Sequence, residues 1–212
     1  MSFFGAHAAL AEDLLAELPA GDDGAHDIAH IRRVWANARR IAADEGGDGE
    51  ILAAAVLLHD CVQVEKSSPL RARASALAAA RAGEILATRG WARACIDAVA
   101  HAIEAHSFSA EIAPRSLEAR VLQDADRLDA IGYIGVARCF YTGGRMGSAL
   151  YHADDPAARD RPLDDHAYAL DHFRAKLLRL AEGFQTKAGA RMAVERTRLL
   201  AAFLEGFEAE IA

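Results

Sequence analysis

Residues 27–43, DIAHIRRVWANARRIAA, carry apolar side chains at Ile31, Val34, Trp35, Ala38, Ile41 and Ala42. Steps of three and four place them on one face of an amphipathic helix, and Glu45-Gly46-Gly47 supplies a stop. The next run, residues 50–62 (EILAAAVLLHDCV), is apolar nearly all round, which predicts a helix buried in the centre of a bundle. Working outward, Ser68-Pro69 opens an Ala-rich helix that runs to about Thr88. Trp91–His106 and Ser116 to about Arg138 read as two more helices, and Asp164–Phe184 and Ala190–Ile211 close the chain. Tyr141–Pro162 is polar, acidic and Gly-containing, and reads as the one long loop, either a lid or simply mobile. No alternating strand pattern, repeat or heptad appears. The expectation is an all-α, single-domain helical bundle over residues 1–212, with core motifs in 20–180 and packing helices in 164–211.

Composition narrows the function classes. The 212 residues carry 24 Lys+Arg against 31 Asp+Glu, a net charge of −7 with neutral histidine, which argues against a nucleic-acid polymer as partner. No run of about 18 apolar residues exists to span a membrane. The segment MSFFGAHAALAEDLLAEL lacks a basic start, so no signal peptide is expected. Cys61, Cys95 and Cys139 are odd in number and widely spaced, which predicts a reduced, cytoplasmic setting without a disulfide framework or thiolate zinc site.

Nine histidines are many for such a chain. His26 and His30 are four apart in one helical stretch. His59 lies on the apolar side of a very apolar helix, with Asp60 directly after it. A carboxylate in such surroundings asks for a compensating partner, and a divalent cation is one. A third cluster, Gln123-Asp124-Ala125-Asp126-Arg127-Leu128-Asp129, is flanked by Val121-Leu122 and Ile131-Gly132. Mixed imidazole and carboxylate donors suit Mn²⁺, Mg²⁺, Fe²⁺, Co²⁺, Ni²⁺ or Zn²⁺. The blander readings are a histidine at a helix edge, an Asp60 bonded to Lys66, and a solvated acidic stripe.

The ordered set His30-x-x-Arg33-Val34, His59-Asp60 and Asp124-Ala125-Asp126-Arg127-Leu128 resembles the HD-domain metal-dependent phosphohydrolase superfamily. Residues 57–75, 102–138 and 171–180 are similar to its bacterial single-domain branch, so the likeness spans most of residues 20–210. The resemblance implies an all-α bundle of the HD-domain type. It also implies a divalent metal held by His30, His59, Asp60 and Asp126. A helical projection puts Asp124 nearer the apolar face than Asp126, whereas the family pattern favours Asp126. Asp124 therefore stays as a neighbour or alternative ligand. His26 matches a variant in this branch and is a candidate beside the ligands or for a second metal.

The implied reaction is hydrolysis of a phosphoester or phosphoanhydride of a small nucleotide by metal-activated water. Asp60, Asp129, Asp124 and Arg33 are the catalytic candidates, the aspartates to orient or deprotonate the water. His101, His106, Lys176 and Lys66 are the substrate-binding candidates, and Arg127 and His172 are further cations for phosphate. A non-catalytic metal or nucleotide sensor with the same bundle is the alternative. A ferritin-like di-iron bundle ranks low because its Glu-x-x-His pairs are missing. The apolar series Leu199, Leu200, Phe203, Leu204 and Phe207 leaves a homodimer open.

Overall fold

The computed structural model describes residues 3–18, 27–62, 64, 68, 70–107 and 110–211. Nine α-helices appear among them: α1 (Ala8–Leu15), α2 (Ile28–Glu45), α3 (Gly49–Leu58), α4 (Ala74–Thr88), α5 (Arg93–His106), α6 (Leu117–Asp129), α7 (Gly132–Met146), α8 (Ala169–Ala175) and α9 (Lys187–Glu210). Short 3-10 turns cover Gly5–His7, Arg71–Arg73 and Leu177–Gly183. The protein is all-α, and its one β-bridge among the described residues joins Ala149 to Tyr168. Two compact units, Met1–Asp126 and Arg127–Ala212, divide inside α6.

In the first unit α3 is the central helix, packed against α1, α2, α4 and α5. Every side chain from Leu52 to Leu58 is buried, as its all-round apolar sequence requires, and each large aliphatic there contributes roughly 1.5–3 kcal/mol by leaving water. Asp48 caps α3 by accepting from the N–H groups of Glu50 and Ile51 at 2.9 and 3.1 Å. The Glu118 carboxylate of α6 in turn accepts from the Asp48 N–H at 2.9 Å. Asp27 caps α2 in the same manner, accepting from His30 N–H at 2.8 Å. The amphipathic face read from the sequence is the buried one: Ile31, Val34, Trp35, Ala38 and Ile41. Phe4 stacks on Trp35 and His7 meets its edge, which fastens the N-terminal turn to α2.

The second unit corrects several boundaries. The helix expected to run from Ser116 to Arg138 is two, α6 and α7, because Gly132 has φ of +72° and breaks the helical path. The break is tight: a Cβ on Gly135 would lie 2.3 Å from the Ala130 carbonyl oxygen. Arginines satisfy the carbonyls that this end of α6 leaves open, Arg196 donating to Leu128 O at 2.5 Å and Arg138 to Asp129 O at 3.5 Å. Helix α7 extends to Met146, so the long connection starts later than Tyr141 and spans residues 147–168. It is built rather than loose. Asp155 accepts from the N–H groups of Arg159 and Asp160, Asp164 accepts from those of His166 and Ala167, and Arg161 forks onto buried Asp171 at 2.6 and 2.8 Å.

Beyond the loop, the expected Asp164–Phe184 helix is the short α8 followed by the 3-10 turn. The exposed apolar face expected on the last helix is mostly interior. Leu200 and Leu204 are buried, and Phe203 and Phe207 join Phe140 and Phe173 in an aromatic cluster with centroids 5.7–5.9 Å apart. Leu199 alone of that series is exposed. No described helix is long and apolar enough to cross a membrane.

Candidate metal centre

All four residues of the proposed ligand set lie in the first unit. His30 sits in the first turn of α2, where the Asp27 cap sets the backbone. His59 follows the last residue of α3, with Asp60 next along the chain. The donor atoms converge: His30 Nε2 lies 3.2 Å from His59 Nε2, 3.7 Å from Asp60 Oδ2 and 3.5 Å from Asp126 Oδ1. His59 Nε2 lies 3.5 Å from Asp60 Oδ2. With metal–ligand distances of about 2.1 Å, neighbouring donors around one ion stand roughly 3.0 Å apart in octahedral and 3.4 Å apart in tetrahedral arrangement. The observed spacings fall at that scale, and two imidazole nitrogens with carboxylate oxygens are a donor set for a divalent ion.

Three further features suit a cation. His59 Nδ1 donates to Val56 O at 2.8 Å, which sets the tautomer so that Nε2 presents its lone pair to the cluster. The same bond satisfies a carbonyl that the end of α3 would leave open. His106, the last residue of α5, repeats the device by donating from Nδ1 to Ile103 O at 2.5 Å, and its ring meets that of His59 edge-on at 5.1 Å. The C-terminal ends of α3 and α5 thus meet at the two histidines, and both dipoles place partial negative charge there. Burial is graded as well: the histidines are 1% exposed, whereas Asp60 and Asp126 are each 30% exposed and form the open side.

Of the three clustered aspartates, Asp126 contacts His30, while Asp124 is fully buried. The projection that turned Asp124 toward the apolar face agrees with its burial, and Asp126 supplies the carboxylate oxygen 3.5 Å from His30 Nε2. Asp129 lies in the second unit, is buried, and receives the Arg138 guanidinium at 2.5 Å.

His106 adjoins the cluster, and its burial pushes the imidazole pKa down, with His59 adding to the effect and Asp126 and Asp60 opposing it. His101 is engaged elsewhere: Nε2 accepts from Arg115 N–H at 2.9 Å, and the Arg115 guanidinium lies 3.5 Å from Nδ1. It therefore holds the turn before α6. Arg33 is half-buried on α2, and Lys176 is exposed at the end of α8 in the second unit. His172 of that helix is bonded to Asp165 at 2.9 Å. His26 and Lys66 lie outside the described residues. Two polar residues to which the sequence reading gave no role are buried on the cluster helices themselves, Asn37 on α2 and Gln123 on α6. Asn37 donates to Ala125 O at 3.0 Å and Gln123 donates to Ala105 O at 2.7 Å. An amide on the buried face of an amphipathic helix is their one signal in the sequence.

Comparison with known proteins places the chain in a family. The HD-domain family profile matches residues 27–131. YpgQ of Bacillus subtilis, an uncharacterised protein, is 32% identical over 194 residues, covering 90% of this chain and 86% of the relative. Its crystal structure in complex with ADP superposes with a TM-score of 0.74 over 95% of this chain and 97% of that one. A Lactobacillus plantarum protein of known structure is 33% identical, with a TM-score of 0.73 over 95% and 94% of the two chains. An HD-superfamily hydrolase from Bacillus thuringiensis is 31% identical, with a TM-score of 0.69 over 98% and 95%. With this likeness in sequence and fold, and with the histidines and aspartates of the three motifs gathered at one point, the chain belongs to the HD-domain superfamily.

Proposed function

We propose that this protein is a divalent-metal-dependent phosphohydrolase acting on a phosphoester or phosphoanhydride of a small nucleotide. The observation that carries the reading is the cluster of His30, His59 and Asp60, with donor atoms 3.2–3.7 Å apart, and the approach of Asp126 Oδ1 to within 3.5 Å of His30 Nε2. A divalent ion held by these four side chains would bring the pKa of water toward neutrality and polarise a phosphoryl oxygen. The protein supplies the rest. His59, tethered through Nδ1, keeps its Nε2 lone pair directed at the cluster without searching rotamers or tautomers. Asp60 and Asp126 stand on the open side, where water and an anionic substrate arrive. They are placed to accept a proton from water and orient it for attack.

His106, its pKa pushed down by burial and its Nδ1 tethered to Ile103 O, adds a polar ring at the inner edge of the site. Arg33, one turn along α2 from His30, is the candidate cation for a phosphate of the substrate. Asp129 is better suited to a structural role, because its carboxylate is committed to Arg138. The nucleotide as ligand class is supported by the ADP complex of YpgQ. That complex also favours a second reading, a sensor that binds nucleotide without turnover.

One experiment separates the two. Phosphate and pyrophosphate release are measured from nucleoside mono-, di- and triphosphates with Mn²⁺, Mg²⁺ or Co²⁺. Release that depends on metal and vanishes in Asp60→Ala supports the enzyme. Nucleotide binding with no release from any substrate supports the sensor.

A further inference from the structure

We infer that Asn37 and Gln123 are positioning residues for the metal-binding cluster, two pins that set the register of the helices carrying its ligands. The inference rests on the metal-site reading above. Asn37 lies seven residues after His30 on α2, two helical turns along the same face. Its amide donates to the carbonyl of Ala125, the residue immediately before Asp126 on α6. The bond ties the helix that supplies His30 to the helix that supplies Asp126, the two whose side chains approach to 3.5 Å between Nε2 and Oδ1. Gln123 lies three residues before Asp126, on the neighbouring side of α6. Its amide donates to the carbonyl of Ala105, the residue immediately before His106, whose ring packs on His59. Each pin holds a main-chain atom one residue away from a group at the cluster, so it constrains backbone position and not merely a rotamer.

Both side chains are buried, and both bonds run from an amide N–H to a carbonyl. That pattern fixes the orientation of the Gln123 amide, because only its NH₂ group faces Ala105 O. Its Oε1 is left inside the protein with no hydrogen-bond partner among the described residues. An aliphatic residue of the same size would leave no such orphan. What Gln123 offers in exchange for that unpaired oxygen is the hold of its N–H on Ala105 O. The shape of the cluster supports the same conclusion, since the start of α2, the end of α3 and α6 must meet to within a few tenths of an ångström for their side chains to hold one ion.

The test uses full-length protein carrying Asn37→Leu or Gln123→Met, near in volume and lacking the amide. Co²⁺ and Mn²⁺ affinities are measured by calorimetry at a temperature where every variant is folded, and the visible spectrum of the Co²⁺ form reports ligand geometry. Each variant should bind 10–100-fold more weakly, with a changed Co²⁺ spectrum and a cooperative unfolding transition retained. Ser75→Ala removes a buried hydroxyl on α4, a helix without a cluster residue, and should lower Tm while leaving affinity and spectrum unchanged. If Asn37→Leu does not fold, Asn37→Ser, too short to span the bond, takes its place with the same expectation. Wild-type affinity and spectrum in both amide variants would overturn the positioning role and leave the metal site standing. Failure of the wild-type protein to bind either ion would overturn both.

Discussion

The acid–guanidinium pairs of the second unit and the histidine–carboxylate cluster of the first use charge in opposite ways. In Arg127–Ala212 each of several acids meets a guanidinium: Asp129 with Arg138, Asp171 with Arg161, and Glu208 with Arg174. In Met1–Asp126 two buried imidazoles and two half-exposed carboxylates turn their donor atoms toward a common point. The first arrangement is closed, because each charge is answered inside the protein and the return is a fixed loop and fixed helix ends. The second brings lone pairs together at 3.2–3.7 Å, a geometry that a cation would stabilise. The first unit has closed pairs of its own, Arg89 with Asp13 and Glu17, so what sets the His30 cluster apart is that its carboxylates face imidazole nitrogens and not a guanidinium.

Substitutions at the cluster should break this contrast most sharply. His59→Ala and Asp60→Ala are each expected to remove metal and to cut metal-dependent phosphate release by ~10³-fold or more. Both should leave a folded apo-protein, and elemental analysis, turnover and a thermal melt check the three parts. Equal activity in Asp60→Ala would end the metal-site reading.

The next effect belongs to the closed arrangement. Asp171→Ala leaves the Arg161 guanidinium behind without its carboxylate and should lower Tm by about 10 °C. Metal affinity at 25 °C should not change. Acid sharpens the same point. Burial works to raise the Asp171 carboxyl, but Arg161 and the Asp164 N–H outweigh it and hold the group below the usual carboxylate range. The pair's stabilisation is therefore present above the unfolded-state pKa near 3.8 and is lost as pH falls through the lower folded value. The wild-type protein should lose Tm through this window more steeply than Asp171→Asn.

A smaller effect lies in the first unit. Burial, with help from Arg115, pushes His101 below its ordinary 6.5. The neutral ring accepts from Arg115 N–H, so this bond is intact above pH 6.5 and weakens as pH falls through the depressed folded value. Hydrogen exchange at the Arg115 amide, corrected for its intrinsic pH dependence, should lose protection over that range, and His101→Gln should flatten the profile.

The smallest test treats the two units alike. Burial raises the Cys61 thiol to about 11 and the Cys139 thiol to about 12, so both should alkylate slowly at pH 8 in the native state. Rapid modification of either would show that its unit opens locally.

Much of the first unit was legible in the chain. The 3.6-residue periodicity of 27–43 and the unbroken apolar run of 50–58 dictate one amphipathic and one central helix, because burial acts on side-chain pattern alone. The motifs around His30, His59-Asp60 and Asp126 name the residues that meet. The break between α6 and α7 was hidden, since Gly132 and Gly135 each read as tolerable inside a helix until the Ala130 carbonyl is seen lying against Gly135. The ordered loop 147–168 was hidden for a similar reason: its polarity resembles a mobile segment, and its order comes from Arg161 finding Asp171, ten residues away.

By itself, then, the sequence determined the helical class, the central helix and the three motifs from which the histidines and carboxylates come, all of which follow from local pattern and order along the chain. Tertiary structure alone decided which aspartate faces His30, that His101 holds a turn while His106 adjoins the cluster, and that Asn37 and Gln123 grip carbonyls 88 and 18 residues away. Those outcomes depend on distances of a few ångströms between segments remote in the chain, and a one-dimensional pattern does not carry such distances.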